Sequence, residues 1–148
     1  MSQRDIWQDN SMIFKYYQYQ TKENETIYRP TIPIVFKNGK HFIFTDATID
    51  SGADFSILSI EMAKVLDIKL DHRSKKTIES AGGNTFTVYP SPISIEHIIR
   101  QKGFRTLKWK ALVYFSEIQP TILLGQKGFL DKLIVTLDGR KKEVRLDK

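Results

Sequence analysis

The chain has 148 residues, 41% of them hydrophobic and 27% charged, which is the profile of one ordinary soluble domain and too little for two. A chain of this length buries roughly 68–70% of the surface its unfolded form exposes, so its core needs no staples. It has no cysteine, which excludes a disulfide framework, a thiolate nucleophile and Cys-ligated zinc or iron–sulfur sites. The net charge of +6 comes from short clusters, Arg73/Lys75/Lys76, Arg100/Lys102/Arg105/Lys108/Lys110 and Arg140/Lys141/Lys142, separated by strand-like sequence. They read as a solvated basic surface rather than a dedicated binding arm, and no nucleic-acid partner is expected.

The first residues lack an apolar signal region, and runs such as Ile122-Leu123-Leu124 fall far short of the ~20 residues a membrane helix requires. The expectation is a soluble, cytoplasmic protein with no membrane partner. Residues 1–30 are polar and aromatic with poor periodicity, and read as one strand plus an arm of uncertain structure. A domain spanning 31–148 follows. Thr31–Lys37 and Lys40–Thr45 are β-branched and aromatic runs flanking Asn38-Gly39, a dipeptide suited to the positive φ of a tight hairpin turn. Ala47-Thr48-Ile49 leads directly into the polar loop Asp50-Ser51-Gly52-Ala53-Asp54. Ser59 then caps a short helix to Leu66, with Leu58, Met62 and Leu66 on its core face.

Lys76–Glu79 and Thr85–Tyr89 form a second hairpin whose tip, Ser80-Ala81-Gly82-Gly83-Asn84, is glycine-rich. Ser91–Ile99 and Leu107–Phe115 read as further strands, and Thr121–Leu124 as a short buried one. One or two helical turns over Gly128–Leu133 and a last hairpin, Ile134–Leu137 and Glu143–Leu146 around Asp138-Gly139, close the chain. Many short strands with small helices argue for an all-β barrel or sandwich.

Candidate chemistry is sparse. His41, His72 and His97 match no metal-ligand spacing, so no metal is expected. Gly82-Gly83 lacks the lysine and helix of a phosphate loop, and no Gly-x-Ser-x-Gly is present. What remains is Asp50-Ser51-Gly52 at a strand end. An acid there, followed by a hydroxyl and a glycine that lets backbones approach, holds a carboxylate rigidly toward a partner. On spacing alone, a plain turn in which the Asp binds its own backbone stands ahead of that reading.

Further residues extend the pattern. Ile49-Asp50-Ser51-Gly52-Ala53-Asp54 resembles the active-site strand and loop of retropepsins, the single-domain aspartic proteases of retroviral type. Ile122-Leu123-Leu124-Gly125, Gly128-Phe129-Leu130 and Ile134-Val135-Thr136-Leu137 are similar to the family's second hydrophobic motif, short helix and closing strand. Ile78–Val88 is similar to its flap hairpin. The likeness runs from about Thr31 to Leu146 and implies a closed retropepsin-like β-barrel with a flap, needing no cofactor. It implies an aspartic endopeptidase acting on a peptide or protein substrate through two carboxyls, one ionised and one protonated, which share a proton because like charges that close cannot both ionise.

Only one Asp-Ser-Gly is present; Asp138-Gly139 follows a leucine and resembles a hairpin turn. The second carboxyl is therefore expected from a second chain of a homodimer. The resemblance assigns Asp50 as the acid, Ser51 as a hydrogen-bond donor across the dimer, and Gly52 and Asp54 as backbone contacts to substrate. Ala53 lines the adjacent pocket, while Ala81, Gly82 and Gly83 close over it. The sequence departs from the viral pattern at Gln126, where an arginine would pair with the acid at position 54, and in its longer N-terminal arm. Two alternatives stand beside the enzyme: a retropepsin-like domain kept for dimerisation or peptide binding, and a basic β-barrel for nucleic acid.

Overall fold

The chain's computed structural model describes residues 11–80, 82–118 and 121–148. Its centre is a long hairpin of β4 (Thr31–Asn38) and β5 (His41–Ile49), paired from Thr31↔Thr48 to Asn38↔His41. The turn is Gly39-Lys40 rather than Asn38-Gly39: Asn38 still belongs to the ladder, and the positive φ of +59° falls on Gly39 alone. Asn38 instead donates its side-chain amide to the carbonyl of Leu66 at 2.9 Å. Pleating turns Ile32, Ile34 and Phe36 inward, each fully buried side chain contributing about 1.5–3 kcal/mol of hydrophobic stabilisation. Pro33 sits in β4 below the stretch, Val35–Lys37, where β9 (Ile95–Ile99) pairs on the other side, so the amide it lacks is not missed there.

These strands belong to a nine-stranded sheet ordered β10-β9-β4-β5-β12-β6-β11-β8-β7. It contains β6 (Ile57–Ser59), β7 (Lys76–Glu79), β8 (Thr85–Pro90), β10 (Leu107–Ala111), β11 (Tyr114–Ser116) and β12 (Leu123–Leu124). Helix α1 (Ile60–Val65) follows β6, and Leu58, Met62 and Leu66 are buried as its spacing predicts. Ser59 stands at the cap position but its side chain makes no capping hydrogen bond; its backbone is engaged as the last residue of β6, opposite Ser116. The β7–β8 hairpin forms as expected, pairing Lys76↔Val88 through Glu79↔Thr85.

Three segments depart from the sequence reading. Leu107–Phe115 is two strands, because Val113 turns its carbonyl to the amide of Ser91 and the chain passes from β9 to β6 and β8. Residues 91–94 are irregular, with Ser91 Oγ donating to the Ile93 carbonyl at 2.6 Å. Residues 128–133 form turns rather than a helix: Leu130 and Asp131 donate to the carbonyls of Gly125 and Gln126, and Asp131 accepts from the Gly128 amide at 2.9 Å.

Residues 11–30 contain more order than periodicity suggested. β1 (Met12–Lys15) pairs with β14 (Glu143–Asp147), which also pairs with β13 (Ile134–Asp138), giving a three-stranded sheet β1-β14-β13. Met12 is part of the main core with Val144 and Leu146. β2 (Tyr17–Gln20) and β3 (Thr26–Arg29) make a separate ribbon. The ribbon is tied to the body by Tyr17, whose hydroxyl donates to Asp46 Oδ1 at 2.6 Å; that hydrogen bond, with some burial, pushes the phenol up to about 12.

Candidate active site

β5 delivers Asp50 to the surface from a rigid base. The amides of Thr48 and Asp50 donate to the carbonyls of Ile122 and Leu124, and Ile49 donates to Pro30, so the strand leading to the acid is held from both sides. The loop then closes on itself. Asp50 Oδ1 accepts from the Gly52 amide at 2.9 Å, and the Ala53 amide donates to the Asp50 carbonyl. One carboxylate oxygen is thereby oriented by the backbone, which is the Asx turn that spacing alone suggested.

The segment after β12 supports this loop from beneath. Gly125 packs so tightly that a Cβ there would lie 2.4 Å from the Phe55 carbonyl oxygen and 2.7 Å from that of Ala53. Only glycine allows such an approach. Its amide donates to the buried Ser56 hydroxyl at 3.1 Å, while Gln126 and Lys127 donate their amides to the carbonyls of Ala53 and Asp54. Where the viral pattern has an arginine, Gln126 donates its side-chain amide to the Ser51 carbonyl at 2.8 Å. The loop is braced by a neutral hydrogen bond instead of a charge pair, and the Asp54 carboxylate has no salt bridge among the described residues.

Asp50, Gly52, Ala53 and Asp54 line one side of a cleft of about 410 Å³, whose other walls are Phe55, Ile57 and Leu123 and the hairpin residues Ile78, Glu79, Ser80 and Phe86. Ser51 is next to the cleft without lining it. Gly82 and Gly83 are exposed at the hairpin tip, away from the lining, where Gly83 has a φ of +81° and donates to the Ser80 carbonyl; Ala81 lies outside the described residues. Sequence reading missed the apolar walls. Ile78 and Phe86 face each other across the hairpin, and their inward alternation was the available signal. It also missed Ser56, whose importance is set by a contact with a residue far along the chain. A second cavity, about 290 Å³, is lined by Phe55 and Tyr114 among others and by none of the candidate active-site residues.

No helix among the described residues is long and apolar enough to cross a membrane, and no group of three or more His, Asp or Glu among them is placed to hold a metal ion. The family model described as "Aspartyl protease" matches residues 32–127. A retropepsin-like aspartic protease from Rickettsia conorii is similar in structure, with a TM-score of 0.56 at 17% identity over 92% of this chain and 98% of that one. EIAV protease complexed with the inhibitor HBY-793 gives a TM-score of 0.45 at 19% identity, over 73% of this chain and 88% of that one. A search of curated proteins found no match. With the family match reaching from the first central strand through Asp50 to the glycine beneath it, and with a shared all-β architecture, the chain belongs to the aspartyl protease family and has the retropepsin-like fold.

Proposed function

We propose that this protein is an aspartic endopeptidase whose active site forms between two copies of the chain, each contributing Asp50. The observation that carries the reading is the position of this one carboxylate. It stands in the cleft beneath the β7–β8 hairpin, aligned by the Gly52 amide, in a loop whose Ala53 and Phe55 carbonyls pack on Gly125. A lone carboxylate cannot both take a proton from water and donate one to the carbonyl oxygen, so the chemistry requires a second acid. A twofold axis beside Asp50 supplies it, because an isologous contact sets a residue against its own copy.

In the dimer the two carboxyls share one proton. The ionised one takes a proton from water as its oxygen bonds to the scissile carbonyl carbon; the other gives its proton to the carbonyl oxygen. The tetrahedral diol collapses as the newly protonated carboxyl passes its proton to the amide nitrogen and the other carboxylate takes back a hydroxyl proton, releasing an amine and a carboxylic acid and restoring the dyad with its one proton. No covalent intermediate forms. Ser51 donates across the dimer to brace the paired loops. Gly52 and Asp54 offer backbone groups to an extended peptide, Ala53 lines the neighbouring pocket, and the hairpin tip at Gly82 and Gly83 closes over it. The apolar walls Ile57, Ile78, Phe86 and Leu123 suit a hydrophobic substrate side chain beside the cleaved bond.

Asp50→Asn is the direct test. It is expected to abolish cleavage of a peptide library across pH while leaving circular dichroism and sedimentation unchanged. Cleavage by that variant at the wild-type rate would refute the assignment.

A further inference from the structure

Two connections within the large sheet leave a hollow beside them. β10 ends at Ala111 on β9, while β11 starts at Tyr114 on β6 and β8; β8 ends at Pro90, and β9 starts at Ile95. The Ser91 amide donates to the Val113 carbonyl and ties the two connections together. The turn around Gly128 is pinned to the end of β10. Trp109 Nε1 donates to the Gly128 carbonyl at 2.8 Å, and a Cβ on Gly128 would lie 3.2 Å from both the Ala111 methyl and the Leu112 carbonyl oxygen. The second cavity, of about 290 Å³, is thus walled by backbone that other contacts already hold.

Its lining combines two chemistries. Phe55, Pro90, Leu112, Val113 and Tyr114 supply apolar surface; the Phe55 and Tyr114 rings meet edge-on at 4.6 Å, and Leu112 is 56% exposed. Lys110, Lys127 and Lys132 supply positive charge. None of these three lysines makes an ion pair among the described residues. The lining has one acid, Asp131, whose Oδ1 accepts from the Gly128 amide. Three like charges around one small cavity repel one another, and an anion placed among them relieves that cost.

We propose that this cavity is a second binding site, separate from the Asp50 cleft, for an aromatic carboxylic acid. The ring packs with Phe55 and Tyr114, and the lysines hold the carboxylate. Size agrees with this ligand: an apolar cavity of about 150 Å³ takes one benzene, so the space here fits one ring with a short charged arm. A free aryl acid and a peptide ending in phenylalanine share that chemistry. Phe55 lines both this cavity and the Asp50 cleft, so the occupant touches a residue that also walls the cleft. The site stands whether or not the chain cleaves peptides.

Hydrocinnamate, a phenyl ring joined to a carboxylate through two carbons, is the probe, followed by NMR on the full chain at low salt. It is expected to bind saturably and to show ring contacts to Val113 and Tyr114. Its neutral amide keeps the shape without the charge and is expected to bind at least about fivefold more weakly. The triple variant Lys110→Gln, Lys127→Gln, Lys132→Gln, at exposed positions, is expected to lose affinity for the acid by a similar factor with an unchanged circular dichroism spectrum. Asp50→Asn binds the acid as wild type does, because Asp50 is not in the lining. An acetylated glycine peptide ending in phenylalanine identifies the source: tighter binding than hydrocinnamate assigns a peptide C-terminus, weaker binding a free acid. Ring contacts to Ile78 and Phe86 in place of Val113 and Tyr114 put the acid in the cleft and overturn the site. Equal affinity for acid and amide, or no saturation at about 10 mM probe, overturns it too. None of these results bears on cleavage, which the activity of Asp50→Asn decides separately.

Discussion

Acidifying this protein through the histidine range is expected to cost it stability at one residue, by an amount that can be worked out from the structure. His97 on β9 is fully buried, with Phe36 edge-on to its ring and Trp109 stacked on it. Its Nδ1 hydrogen donates to the Ile95 carbonyl at 3.0 Å, and Nε2 has no partner. The charged groups of the same strands, Lys37, Glu96, Lys108 and Lys110, alternate onto the opposite face, and Glu96 is paired with Lys108 at 3.3 Å. No anion therefore meets the ring. Burial lowers its pKa from 6.5 to about 4, the bond to Ile95 opposing this only in part.

The unfolded chain then binds a proton that the folded chain refuses. The contribution is fully present above pH 6.5, falls as pH drops from 6.5 to about 4, and is flat below. Its size is about 3 kcal/mol, a large share of the 5–15 kcal/mol typical of a domain. The assay is urea unfolding of wild type and His97→Leu at pH 7 and pH 4. Other groups titrate in both proteins, so the difference between their pH responses isolates His97. The wild type is expected to lose about 3 kcal/mol more than the variant, or roughly 1–2 M in urea midpoint. Equal losses would refute the reasoning. The result bears on the proposed function, because the carboxyl pair it requires would be favoured by acid, while this buried ring sets a cost on working there.

Three further substitutions probe the support of the cleft, one of them as a control. Gly125→Ala would drive a methyl into the backbone of Phe55 and Ala53, and is expected to cost more than about 3 kcal/mol in thermal or urea unfolding; Gly82→Ala, with nothing within 4 Å of the added methyl, should stay within about 1 kcal/mol of wild type, and equal effects would undo the packing argument. Gln126→Leu removes the hydrogen bond to the Ser51 carbonyl and is expected to lower kcat/KM for peptide cleavage severalfold with a stability change of at most about 1.5 kcal/mol. An unchanged kcat/KM would show that this bond does not position the loop.

The parts of this protein that were legible in advance are those written locally. The β4–β5 and β7–β8 hairpins follow from alternating apolar residues around turn-forming ones, and Leu58, Met62 and Leu66 lie buried as their spacing requires. The Asp-Ser-Gly motif and its glycine-ended companion at Gly125 could be recognised because short runs carry them. The reading failed where a residue's state depends on distant chain. β1 looked like an uncertain arm because its partner, β14, is at the other end of the sequence. Leu107–Phe115 looked continuous because nothing local marks the change of partners at Val113. His97 was read only as matching no metal-ligand spacing, since its burial comes from Phe36 and Trp109 on neighbouring strands.

By itself, then, the amino-acid order determined an all-β domain without cysteine, one acidic loop and the family it resembles, because periodicity, turn chemistry and short motifs act over a few residues. Tertiary structure decided how that loop is held, by Gly125, Ser56 and Gln126, and which apolar residues wall the cleft beside it. Those properties arise only when segments remote along the chain pack together, and contact across such separations leaves no local periodic trace.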